Sequence, residues 1–351
     1  MSDATDAASE PDDAPARARV VEALPWQRDA IRDLLARRDR WPHAMLIAGP
    51  PGIGKRVLAR TLARCLLCET PGADRNACGT CASCRYEAAG HHPDLRLVEP
   101  MEIEDDVAKP VEWISVAMVR ALADWTQLSS HRGGAKVAVI APAERMNASA
   151  ANALLKTLEE PPAQTYFLLV SDLAGRLPAT IVSRCQRIIA PRPEAGAARA
   201  WLGTRGLADV DGVLAQSANA PLRALDLADA DYQAERRAWL SALAAPRELS
   251  VTALAARIEA VPREARKDRL AAVIDWLVAW CADLARVRCG GAAVANADFE
   301  APLRSLARSV AALPLFRYHR SLLDQRTLVS HPLQPRLVAE ALLIDYRALF
   351  D

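Results

Sequence analysis

Residues Gly49-Pro50-Pro51-Gly52-Ile53-Gly54-Lys55 carry the G-x-x-x-x-G-K core of a phosphate-binding loop. In such a loop, backbone N–H groups cradle phosphates and the lysine meets their charge. The next position, where a Ser or Thr hydroxyl would hold magnesium, is Arg56. The later strand that should end in a metal-binding acid, 136–140, runs instead into Ala141-Pro142. Both magnesium ligands of a hydrolysing site are therefore missing. The expected chemistry is at most weak binding of ATP or ADP, without hydrolysis, through Gly49, Gly52, Gly54, Lys55 and Arg56. Lys55 is either a retained phosphate contact or a relic on a solvated loop.

A second constellation is Cys68, Cys78, Cys81 and Cys84, spaced C-x9-C-x2-C-x2-C. Two C-x2-C steps let neighbouring thiolates point at one ion, and Cys68 can fold back to complete a tetrahedron. The turn residues Thr70-Pro71-Gly72-Ala73-Asp74 supply the return. Four sulfur ligands with no open position describe a structural Zn2+ site. The alternatives, buried free thiols or a redox pair, explain the ligand spacing less well. Cys65 reads as core, and a complete thiolate set leaves His91 and His92 unneeded as ligands. With only Arg75 and Arg85 as bases, the module reads as a staple more than a nucleic-acid contact.

Other acidic residues offer little catalysis. Glu159 and Glu160 are adjacent on a helical stretch, so their side chains diverge by about a hundred degrees and cannot converge on one atom. A helix-end or interface role suits them better. Glu144 lies beyond Pro142 with no neighbouring Asp, a poor replacement base. Trp239, Trp276 and Trp280 fall on helical patterns and read as core or subunit contacts.

These residues must be positioned by regular elements. Short apolar runs at 43–48, 95–98, 136–140, 166–170 and 187–190 alternate with helical patterns at 55–67, 116–127 and 149–158. Apolar strands separated by helices imply a parallel five-stranded sheet covered on both faces. The loop joins the first strand to the first of these helices, the context that makes the motif credible. After Pro191-Arg192-Pro193 the strand signals stop. Amphipathic stretches at 197–205, 211–216, 268–287 and 335–349 follow, broken at Gly290-Gly291. The expected organisation is a polar tail (1–20), an α/β domain (21–190) with the cysteine module at about 65–90, a helical lid (191–240) and an all-α domain (241–351).

The chain has 351 residues, 44 basic against 43 acidic side chains and a net charge of +1, so overall charge gives no sign of nucleic-acid binding. No apolar run approaches a membrane span, and the N-terminus has no hydrophobic signal core. A reducing, cytoplasmic compartment is expected, with no membrane partner.

The run 152–162, Asn-Ala-Leu-Leu-Lys-Thr-Leu-Glu-Glu-Pro-Pro, followed by a strand and then Ala179-Thr180-Ile181-Val182-Ser183-Arg184-Cys185, resembles the clamp-loader branch of the AAA+ ATPases. The resemblance is strong from about residue 25 to 187 and rests on pattern alone beyond. It implies an AAA+ P-loop domain with a zinc-module insertion, a small helical lid and a C-terminal helical collar that joins subunits. It makes Arg184 an arginine finger acting in trans on a neighbour's ATP. The implied partners are the gamma/tau and delta subunits of a hetero-oligomeric ring and, through the ring, the sliding clamp and primed DNA. The motor subunits gamma and tau carry the magnesium ligands that Arg56, Ala141 and Pro142 replace here. The resemblance is thus to a member that keeps the finger without the motor, a structural subunit of DNA polymerase III in replication. Neither ATPase nor polymerase activity is expected of the chain alone. An active gamma/tau-like ATPase is the alternative, and a free-standing zinc nucleic-acid binder fits less well. The lid stretch Pro221-Leu222-Arg223-Ala224-Leu225 aligns with the family's sensor arginine on Leu-Arg, or is displaced by one residue on Ala-Leu, and both alignments stand.

Overall fold

The computed structural model describes residues 22–104, 107–329 and 334–351. The tail expected at 1–20 lies outside the described residues. Strands β1 (Ala44–Ala48), β2 (Leu95–Val98), β5 (Lys136–Ile140), β6 (Thr165–Ser171) and β7 (Gln186–Ile189) form one sheet in the order β2-β5-β6-β1-β7. Every pairing in it is parallel.

Alternation along the strands divides the core into two layers. Met45, Ile47, Val137, Val139, Leu168 and Val170 pack on one face, against α1 (Arg28–Ala36) and α2 (Lys55–Leu67). Their neighbours Ala44, Leu46, Ala138, Ile140, Phe167 and Leu169 pack on the other, against α4 (Val116–Gln127) and α5 (Ala148–Glu159). A strand sends successive side chains to opposite faces, so continuous apolar runs are what a doubly covered sheet requires. The Ser115 hydroxyl caps α4 at Met118 N (3.4 Å) and the Asn147 side chain caps α5 at Ala150 N (2.8 Å). α5 ends where Pro161-Pro162 forbid another turn.

A two-stranded antiparallel sheet, β3 (Met101–Glu104) with β4 (Val107–Pro110), interrupts the α/β alternation. The sequence gives no apolar run there to announce it. Helix α3 (Ala82–Ala88) follows the cysteines, and α6 (Ala179–Val182) precedes β7.

Beyond the sheet the chain is helical. α7 (Ala195–Gly203), α8 (Val210–Gln216) and α9 (Pro221–Leu227) pack around Trp201, Leu202, Val213 and Leu222, together with Leu24 and Val57 from the first half. A larger cluster unites α10 (Ala230–Leu243), α11 (Val251–Ala256), α12 (Arg266–Arg288), α13 (Glu300–Ser309), α14 (Ala312–Leu328) and α15 (Pro335–Arg347). The boundary expected at 240/241 falls inside α10, whose Trp239, Leu240 and Leu243 belong to the C-terminal core. The packing changes partner at the turn before Ala230, because α10 turns its apolar side towards α12. Residues 270, 273, 274, 277, 280, 281 and 284 of α12 are buried, the three- and four-residue steps of a helix with one apolar stripe.

Tyr346 pins this core. Its fully buried hydroxyl accepts from Trp280 Nε1 (2.9 Å) and donates to Leu243 O (2.7 Å), tying α15 to α12 and α10. Tyr346→Phe strands both partners in an apolar interior and should cost about 1–3 kcal/mol. Denaturant unfolding of the variant checks this, and an unchanged midpoint would show that the hydroxyl contributes nothing.

Candidate functional site

The phosphate loop follows the C-terminal end of β1, and α2 begins at Lys55. Gly52 (φ 80°) and Gly54 (φ 93°) take left-handed conformations that disfavour a side chain. Both are also crowded. A Cβ on Gly52 would lie 2.6 Å from Arg223 Cβ, and one on Gly54 would lie 2.2 Å from Leu24 Cδ1. The close approach that the glycines permit is filled by this chain's own N-terminal segment and α9. Leu222 N donates to Gly52 O (3.0 Å), Trp26 Nε1 to Ile53 O (3.0 Å) and Gln27 Nε2 to Gly54 O (2.8 Å).

Lys55 is buried, so it is no solvated relic. Its ammonium donates to Pro50 O (2.6 Å) and pairs with the carboxylate of Asp172. Arg56 Nη2 donates to Ala141 O (2.8 Å) and lies 3.1 Å from Glu99 Oε1. The two places where a hydrolysing relative would hold magnesium are thus bonded to one another. The register explains the convergence. Ala48 pairs with Ser171 and Val98 with Ile140, so Gly49, Asp172, Glu99 and Ala141 all emerge at the C-terminal edge of the sheet. Glu144 serves as scaffold, its Oε1 accepting from Asp172 N (2.9 Å).

Asp172 and Glu99 were not apparent as site residues from sequence. The available signal was an acid immediately after a strand that neighbours the loop strand or the expected acid-bearing strand. Arg223 is turned away from the loop, as the alignment on Ala-Leu implied. Its Cβ sits over Gly52, but its guanidinium donates to Asp275 Oδ2 (2.8 Å) on α12. It is not aimed at the loop.

Arg184 lies at the opposite edge. Gln186 pairs with Met45, so the residues before it emerge at the N-terminal end of the sheet, while the loop follows Ala48. Strand residues rise about 3.3 Å each, so the length of β1 separates Arg184 from this chain's own loop. About a third of the Arg184 side chain is exposed (34%). Its guanidinium donates to Thr180 O (2.9 Å) and pairs with Glu159 at the end of α5. Cys185 packs on the core beneath it, and burial pushes the thiol up to about 11. Glu159 therefore has a helix-end role, and Glu160 is exposed beside it.

The four cysteines converge as their spacing predicts. Cys68 ends α2, Cys81 caps α3, and all four sulfurs lie within 4.8 Å of one another. Cys68 and Cys81 are 3.9 Å apart, close to the separation of about 3.8 Å that a tetrahedron of ~2.3 Å zinc–sulfur bonds imposes. Cys78 Sγ accepts from Thr70 Oγ1 (3.2 Å), Cys81 N (3.3 Å) and Thr80 N (3.4 Å). These donors, the Thr70 hydroxyl foremost, hold its thiol down at about 5. Burial and neighbouring thiols push Cys84 up to about 12. Such a set could hold a metal ion. His92 takes no part, since it is bound to Ser83 Oγ and accepts from Asp94 N (3.0 Å), and His91 is exposed. Cys65 is core.

Residues 27–193 match a family model described as DNA polymerase III, delta subunit. The chain is 34% identical to DNA polymerase III subunit delta′ of Pseudomonas aeruginosa, over 94% of this chain and 99% of that one. It is 34% identical to subunit delta′ of Escherichia coli K12, over 81% and 82% of the two chains. Similarity to E. coli subunit tau reaches 41% identity but covers only 41% of this chain and 20% of tau. No helix among the described residues is long and apolar enough to cross a membrane. A match at this identity across nearly the whole of both chains makes the protein a member of the DNA polymerase III delta′ subunit family.

Proposed function

We propose that this chain is the non-hydrolysing structural subunit of a clamp loader, supporting ATP-driven loading of a sliding clamp on primed DNA from the cytoplasm. The observation that carries the reading is the bond from Arg56 to Ala141 O (2.8 Å). A guanidinium and a main-chain carbonyl stand where a hydroxyl and a carboxylate would hold magnesium. Without the ion, the charge that develops on a transferring phosphoryl group is not neutralised. ATP or ADP bound here would be held weakly and left intact.

The active contribution is Arg184. An arginine on the sheet edge opposite its own loop can serve only a nucleotide held by another subunit. In a ring with gamma/tau and delta, its planar guanidinium would fork two hydrogen bonds to a neighbour's phosphoryl oxygens, stabilising charge in the transition state. The pair with Glu159 is solvent-exposed and so easily exchanged for a phosphate. Residues 191–228 would act as the lid and the helices from Ala230 onward as the collar joining the ring.

Cys68, Cys78, Cys81 and Cys84 would hold one Zn2+, which supplies a cross-link and no chemistry. Metal analysis of the purified chain should find about one zinc per protein, released by Cys81→Ser. Absence of zinc under non-chelating conditions would refute the assignment.

The isolated chain should hydrolyse ATP at background with magnesium present. A turnover abolished by Lys55→Ala would instead identify an active ATPase.

In a reconstituted ring, Arg184→Ala in this subunit should leave assembly intact. It should lower turnover at the neighbouring site on the order of a thousandfold, with the DNA-stimulated total falling by that site's share. Arg184→Lys should rescue poorly, because a point charge cannot fork. Unchanged ATPase and clamp loading in an intact Arg184→Ala ring would return Arg184 to a structural role.

A further inference from the structure

We infer that Asp172 is an internal counter-anion that closes the phosphate loop, so that a polyphosphate must displace its carboxylate to bind. This goes beyond the absence of turnover, since a loop without magnesium ligands can still bind nucleotide through its lysine and N–H groups.

The geometry points to the carboxylate and not to the loop's shape. The loop keeps its glycines, its left-handed turns and its place at the start of α2. Its backbone is held by Leu222, Trp26 and Gln27 through the carbonyls of Gly52, Ile53 and Gly54, so no ligand is needed to keep it folded. What differs is the charge at its mouth. The Lys55 side chain is 3% exposed, and a buried ammonium requires a compensating anion. Asp172 supplies one from the end of β6. Its placement is set by the donation of its N–H to Glu144 Oε1 (2.9 Å) and by the strand register with β1. The loop's other cation is answered in the same way, Arg56 by Glu99 Oε1 at 3.1 Å. Both positive charges that would meet a phosphate already face carboxylates of this chain. Asp172 is the displaceable one, with its side chain 37% exposed while the lysine behind it is sealed. The ligand class is a nucleoside di- or triphosphate, bound without a divalent cation.

The test is equilibrium binding of a fluorescent ADP analogue in EDTA to the full chain, comparing wild type, Asp172→Asn, Asp172→Ser and Asp172→Asn/Lys55→Ala. Asp172→Asn keeps the shape and removes the charge, so affinity should rise at least about tenfold once no carboxylate competes with phosphate for Lys55. Asp172→Ser, which leaves no amide near Lys55, should show the same gain, and adding Lys55→Ala should abolish it. Circular dichroism and thermal melting establish which variants are folded. Either folded single variant binding no more tightly than wild type overturns the inference, as does a gain that survives loss of Lys55. Because binding is read without magnesium, this failure is distinct from failure of the non-hydrolysing reading, which only turnover decides.

Discussion

The contact on which the two halves of the chain depend is the seating of α9 against Gly52. The helix begins at Pro221, which has no N–H to give, so Leu222 N is the first donor, and it reaches Gly52 O at 3.0 Å. The approach leaves no room for a Cβ at Gly52, which would meet both Arg223 and Ala220. From there Arg223 continues to Asp275 on α12, and Asp275 also takes Arg326 of α14 at 2.7 Å. One run of contacts thus passes from the sheet through the loop and the small helical cluster into the C-terminal core. A single partly exposed ion pair stabilises little. Here, however, one carboxylate joins two arginines from elements that the sequence places far apart, and the backbone bond at Gly52 fixes where that network begins.

Arg56 and Ala141 illustrate how a site can change its chemistry while retaining its frame. A magnesium ion needs oxygen ligands in near-octahedral array. A guanidinium carries its own fixed charge and donors, and here it donates to Ala141 O and pairs with Glu99. Substituting a fixed organic cation for an exchangeable metal leaves the sheet edge electrostatically satisfied.

What could be read in the sequence followed its local periodicities. The three central strands came from runs such as 136–140 and 166–170, because a strand buried on both faces has little polar to break the run. The edge strands β2 and β7 are largely exposed and carry Arg96 and Arg187 within shorter runs. The cysteine hook was legible because ligand geometry is set by spacing within a few residues. Arg184 was marked by its motif, but its resting partner was not, since Glu159 lies 25 residues away and only the fold brings them together. Asp172 and Glu99 escaped for the same reason: single acids after strands carry no pattern, and their role appears only when parallel register lines up the strand ends. The division inside the helical half was misplaced because α10 has too weak an apolar stripe to reveal which neighbour it faces. The hairpin β3–β4 was hidden by the acids Glu102 and Glu104.

The cysteine hook is not alone in holding its helices together. Arg60 on α2 donates to Glu87 on α3 at 2.8 Å, and Ser83 Oγ donates to Leu67 O at 2.7 Å. Glu87 is nearly sealed from solvent, so this seam does not depend on thiol chemistry. The two helices are therefore joined by contacts of unlike kinds, converged sulfurs on one side and, on the other, an ion pair and a hydroxyl–carbonyl bond that involve no sulfur. Oxidation of the sulfurs would leave Arg60–Glu87 and Ser83–Leu67 in place, so the disturbance would fall on the surface span between Cys68 and Cys81 before it reached the helix that carries the phosphate loop.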